Sequence, residues 1–224
     1  DTSGPNGADH ALKDFVWNTI RVEKLPGLMT DHEFRVRNQL GLLLREMIGA
    51  DAEKGAYHFE ALKEMLLKNI EETFTRERLG GQDASANPLV GKKINVDETG
   101  KAMHDTEGWK SLETSMRILQ NIIEAIGPAL YDFELERILT CIIKGVDHIN
   151  RFVREISYFV IRAIFETSKH ILTQENPVES QVAYFRKFSD DLVPIVAQGL
   201  GDNWSQVRYA ASQAARAFYV IAKE

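Results

Sequence analysis

Apolar residues recur at spacings of three and four along most of this chain, the signature of helices that bury one face. From Ala11 onward, Leu12, Phe15, Val16 and Thr19 share such a face, until Pro26 and Gly27 break it. Thr30, with Glu33 three residues on, has the form of a capping box. The helix it opens carries Val36, Leu40, Leu43, Leu44 and Met47, and Gly49 marks its end. A third stripe runs through Phe59, Leu62, Leu66, Ile70 and Phe74. Residues 1–8, polar and rich in Gly and Pro, read as a disordered lead.

The period then disappears. Residues 76–107 are polar and hold Gly80, Gly81, Pro88, Gly91 and Gly100. Within them, Lys93–Val96 and Lys101–Met103 have the makings of a small hairpin around Asp97–Gly100. Helical spacing resumes after Trp109 with Leu112, Met116, Leu119, Ile122, Ile123 and Ile126. Gly127-Pro128 ends that helix and starts the next, since proline suits a first helical turn; Leu130, Phe133, Ile138 and Ile142 follow. Gly145 and Asp147 mark a turn before Val153, Ile156, Val160, Ala163 and Ile164. Asn176-Pro177-Val178-Glu179 reads as an N-cap, a first-turn proline and a reciprocal glutamate. Val182, Phe185, Leu192, Ile195 and Leu200 form the next stripe, with Pro194 placed to kink it. Val207, Ala210, Ala211, Ala214, Phe218 and Ile221 form the last. The pattern predicts an all-α chain with no core strand.

Four of these helices open alike. From Asp202 to Arg208 an acid stands five residues before a Val-Arg pair, and Asp31 to Arg37 keeps the spacing. Glu107 to Glu113 keeps the acid and the apolar residue but has Glu in place of Arg, and Asp147 to Arg154 is one residue longer. Trp109 and Trp204 each stand two residues after the acid. Setting aside the 76–107 insertion brings the first two copies to the roughly 40–47 residue period of stacked helix pairs.

These openings resemble the HEAT-repeat (armadillo-type) family, in which the second helix of each pair begins with Asp, then Val-Arg, then small residues. Asp202, Val207, Arg208, Ala210 and Ala211 carry the likeness best. Asp31, Val36 and Arg37 follow, then Val153 and Arg154. The resemblance implies an α-solenoid: a right-handed α-α superhelix of about four helix pairs with one long loop insertion. Its repeats would lie near 9–50, 54–127, 128–168 and 177–223, a single array over 9–224 with the insertion inside the second. It also implies that Arg37, Arg154 and Arg208 reach acids in adjacent repeats. Such arrays serve many roles, so the architecture alone does not name one.

The expected role is a cytoplasmic or nuclear scaffold or adaptor that binds a protein or peptide. The contact would be made by the groove of second helices, the ridge of turns or the inserted loop. Trp109, Arg154, Trp204 and Arg208 are the candidate contact residues, with Lys92 and Lys93 on the loop; tryptophan and arginine are the usual anchors of interfaces. A tubulin-binding TOG-like domain is an alternative, with Lys24, Arg35 and Lys110 as counterparts of its turn residues. A HEAT-type metal-dependent hydroxylase is another. That family needs several His-Glu pairs, and this chain has His32-Glu33 alone.

Composition narrows this further. Lys and Arg total 27 against 33 Asp and Glu, a net charge of −6, which argues against a general nucleic-acid binder. No apolar run approaches the roughly 18 residues of a membrane span. The single cysteine, Cys141, cannot form an intramolecular disulfide, which fits a reducing compartment. Val36 stands where a zinc-protease motif begun by His32-Glu33 needs its second histidine, and Gly91-Lys92-Lys93 lacks the residues of a phosphate loop. No catalytic residue, cofactor or metal ligand is therefore expected. A start at Asp1 without Met, and a helical pattern still running at Glu224, suggest a segment of a longer protein.

Overall fold

The computed structural model describes residues 5–50, 55–86, 95–96, 102–103, 109–133, 135–173 and 175–222. Side chains are described over 11–50, 55–75, 109–133, 135–173 and 175–222. The fold is all-α. Its helices are α1 (Pro5–Asn18), α2 (Leu25–Met29), α3 (Phe34–Gly49), α4 (Gly55–Ala86), α5 (Trp109–Ile126), α6 (Glu136–Val146), α7 (Arg151–Leu172), α8 (Glu179–Gly199) and α9 (Ser205–Ala222). A π-helical segment, Thr19–Lys24, joins α1 to α2, and a 3-10 segment, Gly127–Asp132, follows α5. Asn95–Val96 pairs antiparallel with Ala102–Met103.

The helices pack in two series. α3, α5, α7 and α9 lie side by side in that order, and α4, α6 and α8 form a second row against them, each also touching the helix that follows it in the chain. Periodicity explains the arrangement, since each stripe has a neighbour to cover it. Phe59, Leu62, Leu66 and Ile70 of α4 are buried, as are Leu112, Met116, Leu119, Ile122 and Ile123 of α5. Val153, Ile156, Val160, Ala163 and Ile164 of α7 are buried too, and Val207, Ala210, Ala211 and Ala214 of α9 close the core. The alanines of α9 remove side-chain bulk from the α7–α9 contact, so the two helices approach closely. Polar links tie the second row together at its surface. Arg137 of α6 bonds Glu64 and Glu71 of α4, and its hydrogen bond holds the Glu71 carboxyl below the usual range. Tyr184 of α8 donates to Glu136 of α6 over 2.6 Å. Such exposed links contribute about 0–1 kcal/mol each, far less than the apolar core.

Several local expectations need correction. Leu12, Phe15 and Val16 are exposed, and among the described side chains of α1 it is Trp17 that is buried, at 3 % exposure. The π turn at Thr19–Lys24 adds a residue per turn and rotates the buried face before Leu25 and Met29 of α2. In α3 the buried line is Leu40, Leu44 and Ile48, whereas Leu43 is exposed. Thr30 does not cap α3; its hydroxyl donates back to the carbonyls of Pro26 and Gly27 and so terminates α2. Asn176 caps nothing, because α8 starts at Glu179 behind an extended Val178. Helix α1 begins at Pro5, inside the expected disordered lead, and residues 1–4 lie outside the described residues. Helix α4 continues past Phe74 to Ala86, well into the expected insertion. Pro194 lies within α8.

Two glycines report how tightly the rows approach. A Cβ on Gly199 would stand 2.3 Å from the ring of Tyr158, whose hydroxyl donates to the Ile195 carbonyl. A Cβ on Gly49 meets nothing within 4 Å. Gly199→Ala should therefore lower unfolding free energy by about 1–3 kcal/mol. Gly49→Ala should be neutral or stabilising by up to about 1 kcal/mol. Urea denaturation of both variants tests the packing, and equal effects would mean that α7 and α8 do not meet as described.

Candidate functional site

The starts of α3, α7 and α9 are built alike. In each, an arginine in the first turn folds back and donates through Nη1 to the carbonyls six and five residues before it. Arg37 reaches Asp31 and His32 at 2.7 and 3.3 Å. Arg154 reaches His148 and Ile149, both at 2.9 Å. Arg208 reaches Asp202 and Asn203 at 2.8 and 3.1 Å. The side chain six residues before each arginine also accepts a backbone N–H two residues on: Asp31 from Glu33, His148 from Asn150 and Asp202 from Trp204, at 2.8, 3.0 and 2.9 Å. These are Asx-type turns, which fix the approach of the chain to a helix. His148, not Asp147, fills the acid's place in the third copy, so that copy is not a residue longer.

The other edge of the arginine ties one turn to the next. Arg154 grips both oxygens of Asp202, at 2.9 and 3.2 Å, and both side chains are largely buried. Arg37 donates through Nε to the Thr114 hydroxyl of α5 at 3.0 Å. Glu113, at the arginine's place in α5, can only accept, and it takes the guanidinium of Arg117 one turn on.

Outside these hooks, the same edge of the molecule carries a row of aromatic rings and cations. Trp109, the first residue of α5, stacks on Phe152 of α7, with ring centres 5.3 Å apart and planes 17° from parallel. Arg151 lies over both Phe152 and Trp204, at 4.8 and 3.9 Å from the ring centres. Lys110 stands 5.9 Å from the Trp109 ring. At the far end, Phe34 of α3 has Arg37 and Arg117 over it, at 5.7 and 5.4 Å. Such contacts are worth about 0.5–2 kcal/mol each and hold the rings in fixed attitudes. Phe152 is 40 % exposed, Lys110 is exposed, and Trp109, Arg151 and Trp204 are half-buried.

The structure thus brings Trp109 and Trp204 into one row and places Arg208 beside it. Arg154 lies beneath, 8 % exposed with its donors engaged. Lys92 and Lys93 lie outside the described residues, as does Glu107. Sequence reasoning did not single out Phe152 or Arg151, the pair that joins the two tryptophans. A legible sign was present: a bulky aromatic immediately before the buried Val153, where a helix start has no inward position left for it.

A cavity of about 340 Å³ at the α1 end is lined by Leu12, Val16, Trp17, Met47 and His58 among others. Burial pushes the Cys141 thiol up to about 12, so it carries no thiolate at neutral pH. Among the described residues no group of three or more His, Cys, Asp or Glu is arranged to hold a metal ion, and no helix is long and apolar enough to cross a membrane. No protein-family model, no curated protein and no solved structure matches the chain.

The two exits of the hook differ in burial, and so should their removal. Asp202→Ala leaves the buried Arg154 unpaired and should lower stability by about 3–5 kcal/mol. Arg208→Ala, at an exposed hook, should lower it by about 1 kcal/mol or less. Equilibrium denaturation distinguishes the two; comparable losses would mean that the Arg154–Asp202 link does not join the turns.

Proposed function

We propose that the chain is a HEAT-type α-solenoid, a right-handed superhelix of about four helix pairs. We propose further that it is a protein-binding scaffold or adaptor and not an enzyme. The superhelical reading is supported by the two packing series and by three helix starts closed in the same way. The binding reading rests on one observation: the row Lys110–Trp109–Phe152–Arg151–Trp204, which crosses three successive helix starts and stays partly open to solvent. Buried core needs no such row, and rings stacked on one another have already lost the side-chain freedom that binding otherwise costs.

A row on rigid helix starts suits a protein or peptide partner better than a small molecule, because it runs across several helix starts and stays partly exposed. Neighbouring helices are about 8–10 Å apart, so the row from α5 to α9 spans roughly 20 Å, about six residues of extended chain. The tubulin-binding reading draws on the same feature, tryptophan with cations in the turns, and is one specific case of it.

The test is affinity capture from cell extract with three baits: the intact chain, Trp109→Ala/Trp204→Ala, and a deletion of Gly80–Asp105. The expected result is a discrete protein partner held by the intact chain and the deletion and lost, by at least tenfold, from the double variant. Loss on deletion alone moves the contact to the inserted segment. Capture by all three removes the ridge as the binding surface, and binding of purified tubulin to the intact chain but not the double variant selects that partner.

A further inference from the structure

We infer that Arg151 and Arg208 form a two-point receptor for carboxylates, and that the partner is an extended acidic peptide segment laid along the ridge past Trp204. The inference rests on the ridge being the contact surface, as proposed above. Three observations carry it.

The first is the state of Arg151. Among the described residues its guanidinium makes no hydrogen bond and no ion pair; it lies over the faces of Phe152 and Trp204, and the Glu155 carboxylate one turn on acts on it only through space. Ring faces orient a guanidinium without consuming its N–H groups, so five donors remain for a ligand. An arginine in that condition, half-buried and fixed in direction, has already met the ordering cost of a bidentate contact.

The second is Arg208. It spends Nη1 on the carbonyls of Asp202 and Asn203, and its Nε and Nη2 edge has no partner among the described residues. Arg154 makes the same hook, and there that edge holds the two oxygens of Asp202 at 2.9 and 3.2 Å. The protein therefore displays, one turn away, the ligand that the open edge fits: a carboxylate presented edge-on.

The third is their placement. Arg151 lies on the ring of Trp204, and Arg208 bonds the carbonyl of Asn203, the residue just before it. The two open guanidinium edges thus flank one short turn, and Lys110 adds a third cation at the far end of the row. Cations separated by ring faces suit a chain in which acidic and apolar side chains alternate. A nucleic acid offers charge on its backbone but no apolar side chains to lie on the ring faces between the cations.

The experiment uses the 15N-labelled chain, whose three tryptophans give three indole resonances. The probes are hexaglutamate, neutral hexaglutamine and a duplex DNA of equal charge. Hexaglutamate should shift the Trp204 and Trp109 resonances saturably and leave the buried Trp17 unmoved; hexaglutamine should shift none. Arg151→Gln and Arg208→Gln should each weaken binding at least tenfold, with the dispersion of the rest of the spectrum retained. Arg186→Gln, which removes an exposed charge from α8, should change it less than twofold. Absence of saturable binding overturns the inference. So does an equal loss in Arg186→Gln, or DNA binding as tight as hexaglutamate, since either reduces the effect to bulk charge. If hexaglutamate fails while Trp109→Ala/Trp204→Ala still loses its captured partner, the receptor falls and the scaffold reading stands. If hexaglutamate binds at Trp204 while capture ignores the ridge, the reverse holds.

Discussion

The architecture depends on an arginine that does two jobs at one helix start. Through one nitrogen it closes the turn that leads into its own helix; through the opposite edge it holds the turn of the next helix. A planar fork with five fixed donors can do this, and a lysine cannot, because its single ammonium has no second edge. Helices that merely pack by greasy faces can slide by a turn at little cost. A buried Arg154–Asp202 link forbids that, because a shift of one turn would leave both charges buried and unpaired. The stacking of α7 on α9 is thereby set in register as well as in depth.

The ridge follows from the same constraint. Residues just before and just within a helix start cannot point inward, since the apolar face begins with Val36, Leu112, Val153 and Val207. Side chains at those places face outward along one edge, and the hooks fix how the successive edges line up. Trp109, the Arg151–Phe152 pair and Trp204 meet because three helix starts are aligned, not because the three places are close in sequence. A row of rings is thus a by-product of turn geometry, and it stays partly open to solvent.

Much of this was legible from the sequence, and the failures have physical causes. Long stripes such as Leu112–Ile123 and Val153–Ile164 specify both helix and buried face, because several turns agree. The first helix misled because part of its apolar stripe, Leu12 and Val16, lines an open cavity with Met47 and His58, and periodicity has no way to signal that. Both capping assignments failed: Thr30 turns back onto the Pro26 and Gly27 carbonyls and ends α2, and α8 begins only at Glu179, three residues past Asn176. The Val-Arg pairs pointed to arginines reaching acids across the packing, which among the described residues Arg154 does and Arg37 and Arg208 do not; the carbonyl hooks were not legible, and His148 stands as acceptor in place of Asp147. The row itself could not be read, since stacking between residues 109 and 152 is a property of neighbouring helices.

Of the four helix starts that share the sequence pattern, α5 has no arginine hook. Glu113 stands where α3, α7 and α9 have arginine, and it is 3 % exposed. Such a carboxylate needs a cation, and Arg117 supplies it from one turn along the same helix. Arg117 also lies over Phe34, so α5 is still tied to α3, by a ring face in place of a turn carbonyl. The cost falls on α7: Glu155 is pushed above the usual carboxylate range by burial and by Glu113, and Arg117 only partly offsets this. This is also the start that follows the 76–107 segment. An arginine hook can close only a turn that returns carbonyls six and five residues back onto the helix.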